Sequence, residues 1–155
     1  MASVRRQIFD AVAAKLEAVR ADLDWRSVVR NPRAPVGEDQ MNAIVLDEGG
    51  EPEPGDLTGS VEINEADFTV GMVVAESGGD SAEDLLDAGF VAICDALQDP
   101  NDIQLGGLAI GVLRGGVSRP FVGASVSGAR IVGVQTIGFT VQYMAREGDA
   151  STPGP

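Results

Sequence analysis

Twenty-four carboxylates are the only abundant side chains in this sequence able to do acid–base or metal chemistry. The chain has no histidine, one cysteine (Cys94) and one lysine (Lys15). Histidine is the commonest general base near neutral pH and the commonest metal ligand. Its absence excludes Ser-His-Asp catalysis, Cys-His catalysis and His-based zinc sites. A single cysteine excludes an internal disulfide and any CxxC site. The acidic pairs Glu38/Asp39, Asp47/Glu48 and Glu83/Asp84 are adjacent in sequence, so their side chains diverge on regular elements. Glu51 and Glu53 sit in a Pro-rich stretch without rigid support. Residues 47–56 hold enough acids for a loose Ca2+ or Mg2+ site but lack the EF-hand order. The glycine runs LGGLAIG (105–111) and LRGG (113–116) fit no phosphate loop. A P-loop needs a lysine after its glycines, and Gly106 to Gly111 does not reproduce Gly-x-Gly-x-x-Gly. Glycine as a turn former is the favoured reading there. With no nucleophile–base pair visible, the chain reads as a non-enzyme needing no cofactor. A carboxylate-only hydrolase is the remaining enzymatic alternative.

The elements that must position these groups are legible in part. Residues 3–23 read as an amphipathic helix, with Ser3 as N-cap and a stripe of Val4, Ile8, Val12, Leu16, Val19 and Leu23. Trp25, the only tryptophan, is expected to anchor the helix end on the core. Residues 41–47 read as a strand. The acidic, Pro- and Gly-rich stretch 48–59 reads as a loop or hairpin tip. Strand pattern resumes at residue 60 and runs to 76. There Phe68, Val70, Met72 and Val74 alternate with Asp67, Thr69, Gly71, Val73 and Ala75. Together the two strands make a long antiparallel hairpin. Ser81 starts a second helix, with Asp84 placed as in a capping box and a stripe of Leu86, Phe90, Ile93 and Leu97. Cys94 lies within it and reads as a small packed side chain. A short strand is expected at 108–114 and a long one at 129–145. The expected fold is α+β: an antiparallel sheet of about four strands with two main helices packed on one face. Residues 1–148 form a single domain in this reading, followed by a flexible tail at 149–155.

Charge is distributed unevenly. Residues 1–33 carry seven basic and four acidic residues, whereas residues 34–102 carry eighteen acids and no base. Residues 103–155 carry four arginines and two acids. The formal net charge is −13. This is not the pattern of a basic nucleic-acid reader. A long acidic segment repels itself unless cations face it from elsewhere. Ten of the eleven basic residues are arginine, which favours bidentate pairing. No apolar run approaches a membrane span, and the opening MASVRRQIF lacks an apolar signal core. These features lead one to expect a soluble protein made in the cytoplasm, with no membrane partner.

Several ordered features resemble the tail terminator (tail completion) proteins of long non-contractile-tailed phages and gene transfer agents. The carriers are the helix RRQIFDAVAAKLEAV (5–19), VVRNPRAPV (28–36), a short strand before an acidic hairpin, LQDPNDIQLGGLAIGV (97–112) and FTVQYMAREGD (139–149). In the fourth of these, Asp99, Pro100, Leu105, Gly106 and Gly107 form the candidate turn motif. The resemblance implies a virion protein of the tail or neck, made in the host cytoplasm. It implies a homohexameric ring that caps the tail tube, stops its polymerisation and presents a surface to the head–tail connector or stopper. DNA would pass through the lumen without sequence-specific binding. A head-completion, neck or tail tube protein is the nearest alternative, and a small acidic dimeric ligand-binding domain is the alternative from another class. A ring needs two different complementary surfaces per subunit. The candidate subunit or tube interface comprises Arg5, Arg6, Arg30 and Arg33 on the basic side. On the acidic side it comprises Asp47, Glu48, Glu51, Glu53, Asp56, Glu62, Glu65 and Asp67. Acids turned to the lumen would repel DNA and let it slide.

Overall fold

The computed structural model describes residues 2–49, 57–58, 61–125, 128, 130–146 and 149–153. In chain order the elements are α1 (Val4–Leu23), β1 (Ser27–Arg30), β2 (Ala43–Glu48), β3 (Leu57–Thr58), β4 (Val61–Ala75), α2 (Ala82–Leu97), β5 (Gly111–Val117), β6 (Phe121–Ala124), β7 (Ile131–Arg146) and β8 (Asp149–Pro153). A short 3-10 turn, Glu38–Gln40, precedes β2.

Both helices begin where their caps put them. The Ser3 side chain accepts from the Arg6 amide, and the Ser81 side chain accepts from the Asp84 amide. Glu83 and Asp84 occupy the first turn of α2, where the helix dipole favours negative charge. Asp24 ends α1 in the left-handed conformation at φ 56°.

The strands form one eight-stranded sheet ordered β1-β2-β4-β7-β5, with β3 on β4 and both β6 and β8 on β7. The expected hairpin is present as β2 antiparallel to β4, with Val45 opposite Gly71. The expected long closing strand is β7, which pairs with the whole of β4 from Val61↔Arg146 to Ala75↔Val132. The sheet differs from the sequence expectation in three ways. Among the described residues it has eight strands rather than about four. It is mixed, because β1 runs parallel to β2. Residues 149–153, expected in a flexible tail, pair with β7 as β8. The strands that escaped notice are the short ones, β1, β3, β6 and β8. Such segments are defined by a neighbour's free edge more than by their own pattern.

Alternation in β4 and β7 sets the two faces of the sheet. Ala66, Phe68, Val70, Met72 and Val74 are buried with Ile137, Phe139, Val141 and Tyr143, while Glu65, Asp67 and Thr69 are exposed. Both helices lie on the buried face. Phe9 of α1 meets Phe68 edge-on at 5.6 Å, and Phe68 stacks on Phe139 at 5.3 Å. In α2, Gly89 leaves room for Trp25 and Met72, since a Cβ there would lie 2.6 Å from the Trp25 ring and 2.7 Å from the Met72 sulfur. Trp25 is buried, as the sequence leads one to expect. No described element covers the opposite face.

Candidate assembly surfaces

The bare face of the sheet carries the acids that β-strand alternation assigns to it. Asp47 on β2 faces Thr69 on β4, Asp67 faces Thr140 on β7, and Glu65 faces Gln142. The Thr140 hydroxyl donates to Asp67 Oδ1 at 2.8 Å, and Gln142 Nε2 donates to Glu65 Oε1 at 2.9 Å. These are neutral partners, so the negative charge of the patch is left uncompensated there. A shallow depression lies among Asp47, Asp67, Thr69, Gly138 and Thr140. Gly138 sits opposite Thr69 and contributes no side chain to fill it. Glu62 continues β4, opposite Ala145 on one side and Leu57 on the other. Further along the same face the acids give way to Val73, Val134 and Thr136.

Glu48, next to Asp47 in sequence, points to the helix side. Arg30 Nε and Nη2 donate to its two carboxylate oxygens at 3.2 and 3.0 Å, and Arg30 Nη1 donates to Asp10 at 2.6 Å. Asn31, held in the left-handed region at φ 48°, donates its side-chain amide to Glu48 and accepts from the Glu48 backbone amide at 2.9 Å. Burial works to raise the Glu48 pKa. The bonds from Arg30 and Asn31 and the charges of Arg30 and Arg5 outweigh it, so the carboxyl sits below its ordinary value. Glu48, and after it Asp10, push the Arg30 guanidinium pKa up in turn. Arg5 donates to the Gly49 carbonyl and lies over the Phe9 ring at 5.0 Å. Arg6 is exposed, 3.9 Å from Asp10.

The basic and acidic candidates therefore divide. Arg5, Arg30 and Glu48 are committed within one chain. Arg6, Arg33, Asp47, Glu65 and Asp67 are presented outward. Glu51, Glu53 and Asp56 lie outside the described residues. Sequence reasoning missed Asp10, Asn31, Thr140 and Gln142 as partners. The one available signal was Asp10, four residues after Arg6 on the helix.

The turn motif proves to be architecture. Asp99 Oδ1 accepts from the Asn101 amide at 3.0 Å, and Pro100 is exposed in the turn beside it. Leu105, Gly106 and Gly107 all have positive φ (51°, 68° and 90°), and the Leu105 side chain is buried in the core. The expected strand start at 108 is displaced to Gly111 by this left-handed run. Asp102 accepts from the Gly106 amide at 2.8 Å and from Lys15 Nζ at 3.0 Å. Those two contacts, the amide first, hold its carboxyl below the usual range. Lys15 also donates to the Ala96 carbonyl at 3.2 Å, tying α1 to the end of α2. Burial pushes the Cys94 thiol up, away from a reactive thiolate. Among the described residues, no group of three or more His, Cys, Asp or Glu side chains is placed to hold a metal ion, and no helix is long and apolar enough to cross a membrane.

One solved structure, the virion of a native gene transfer agent particle, contains a chain that superposes with a TM-score of 0.49 at 14% sequence identity. The match covers 86% of this chain and 92% of that one. No protein-family model and no curated protein matches the sequence.

Proposed function

We propose that this chain is a structural virion protein acting as a tail terminator. In this reading it forms a ring on the end of the tail tube, stops tube growth and offers the head-attachment surface, with DNA passing through the lumen. The observation that carries the reading is the one-sided sheet. Two helices cover one face, and the other presents Asp47, Glu65 and Asp67 without a cation among the described residues. Such a face suits the wall of a DNA conduit, because like charge prevents adhesion to phosphate. The sequence resemblance to tail terminators supports the same reading, as does the outward exposure of Arg6 and Arg33. A wall of this kind needs no enzymatic chemistry.

Electron microscopy of particles lacking this gene tests the proposal. Overlong, headless tails are the expected outcome. Tails of normal length joined to heads would refute the terminator role, and detached tails of normal length would transfer the protein to the neck.

A further inference from the structure

We infer that copies of this chain join edge to edge, the loop after β1 of one copy seating in the groove between α2 and β5 of the next. This rests on the ring proposed above and names the surfaces in contact.

The two surfaces lie at opposite edges of one sheet, since β1 and β5 are the ends of its strand order. The β5 edge is unusually apolar. Of the exposed large hydrophobic residues, Leu113 (52% exposed), Val117 (38%), Phe121 (67%) and Val134 (36%) all lie on β5, β6 or the adjoining part of β7. Exposed apolar clusters of this kind mark interaction sites. Of these, Val117 turns to the helix side, where it borders a groove with Leu86, Phe90, Arg114 and Pro120 and with Glu83 and Asp87 on its α2 rim, whereas the register puts Leu113, Phe121 and Val134 on the bare face of the same edge. Arg114 lies over the Phe90 ring at 5.6 Å and Arg119 sits nearby in the β5–β6 connection, so the acid excess belongs to α2. That helix carries Glu83, Asp84, Asp87 and Asp95 and no basic residue.

The β1 edge has the complementary chemistry. Arg26 and Arg33 are exposed, and neither has an ion pair or side-chain hydrogen bond among the described residues. Arg33, Ala34 and Pro35 are exposed in succession within Pro32-Arg33-Ala34-Pro35. Two prolines restrict this segment, so little entropy is lost on docking. Prolines against Phe90, Val117 and Pro120, with Arg33 of the loop against Glu83 and Asp87, satisfy both surfaces, and Arg26, which precedes β1, adds positive charge to the same edge. A contact between two unlike patches is heterologous and propagates head to tail until it closes. It would set the sheets of successive copies side by side, their bare faces turned the same way.

Sedimentation velocity on full-length protein, alone and with tail tube protein, tests this through charge reversal. R26E/R33E and E83R/D87R should each raise the concentration for half-assembly about tenfold or more. Mixing the two variants should restore assembly, because each supplies the charge the other lacks. The fourfold variant R26E/R33E/E83R/D87R should also assemble, which shows that the substitutions leave the fold intact. Assembly of every variant at the wild-type concentration would overturn this contact and leave the ring standing. A two-fold dimer indifferent to the arginine reversals would do the same to the contact and count against the ring. A wild-type chain that stays monomeric with tube protein present would overturn both.

Discussion

Asp47 and Glu48 are neighbours in sequence and opposites in role, because adjacent strand residues face opposite sides. Asp47 faces solvent, and Glu48 is gripped by Arg30 and Asn31. The face of Asp67 was legible from alternation in β4, whereas the separation of Asp47 from Glu48 needed β2 to run on through Glu48, past the expected strand end at 47. The partner of Glu48 was not legible, because Arg30 reaches it only through the parallel pairing of β1 with β2. Glu48→Gln should lower stability at pH 7 by about 1–2 kcal/mol through the weakened fork. The sign with pH follows from the depressed pKa. A carboxylate held below its ordinary value of 4.5 contributes fully above that pH and loses its contribution as pH falls through the lowered value. The gap between wild type and Glu48→Gln, measured by urea unfolding, should therefore close below pH 4.5. A gap that is constant down to pH 2 would contradict the ion pair.

At the level of elements, the helices were readable because caps and a four-residue apolar stripe agree. β4 and β7 were readable because alternation persists over their length. β1 shows no alternation in burial, so nothing in its four residues distinguishes it from loop. The start of β5 was misplaced for a different reason. Leu105 is buried like a strand residue but sits at positive φ, where a leucine is rarely expected. Its side chain fills the core while Gly106 and Gly107 complete the left-handed path. Leu105→Ala should cost about 2–5 kcal/mol by leaving a cavity, measured as the shift in unfolding midpoint. Gly89 in α2 allows a sharper test, because two effects oppose. Alanine there gains about 1 kcal/mol in helix propensity. Its Cβ would lie 2.6 Å from the Trp25 ring, and overpacking costs about 1–3 kcal/mol. Net destabilisation is expected, with a change in the fluorescence of Trp25. A more stable protein with unaltered fluorescence would mean that α2 does not pack on Trp25 at this distance.

Across the whole molecule, the charge division in the sequence becomes a division of surfaces. Part of the basic segment neutralises acids of its own chain through Arg30, Glu48 and Asp10, while Asp47, Glu65 and Asp67 stand on the bare sheet face and Glu83, Asp84, Asp87 and Asp95 on α2. A face that only kept the protein soluble would tolerate charge reversal, whereas a conduit wall would not. Replacing Asp47, Glu65 and Asp67 by lysine changes the charge by six units per copy and, on the proposed conduit reading, converts a repelling wall into a phosphate-binding one. The three side chains are exposed and bonded to no cation among the described residues, so folding and tail length should be unchanged. The isolated triple variant should retard duplex DNA in a gel, with binding that weakens steeply as salt rises, while the wild type does not. In particles, DNA delivery should fall about tenfold or more even though assembled tails look normal, because each passing phosphate now meets a cation. Normal delivery by such particles would remove the acidic face from the DNA path. Loss of tail assembly instead would assign Asp47, Glu65 and Asp67 to a protein contact, with tube or neighbouring copy as the cationic partner.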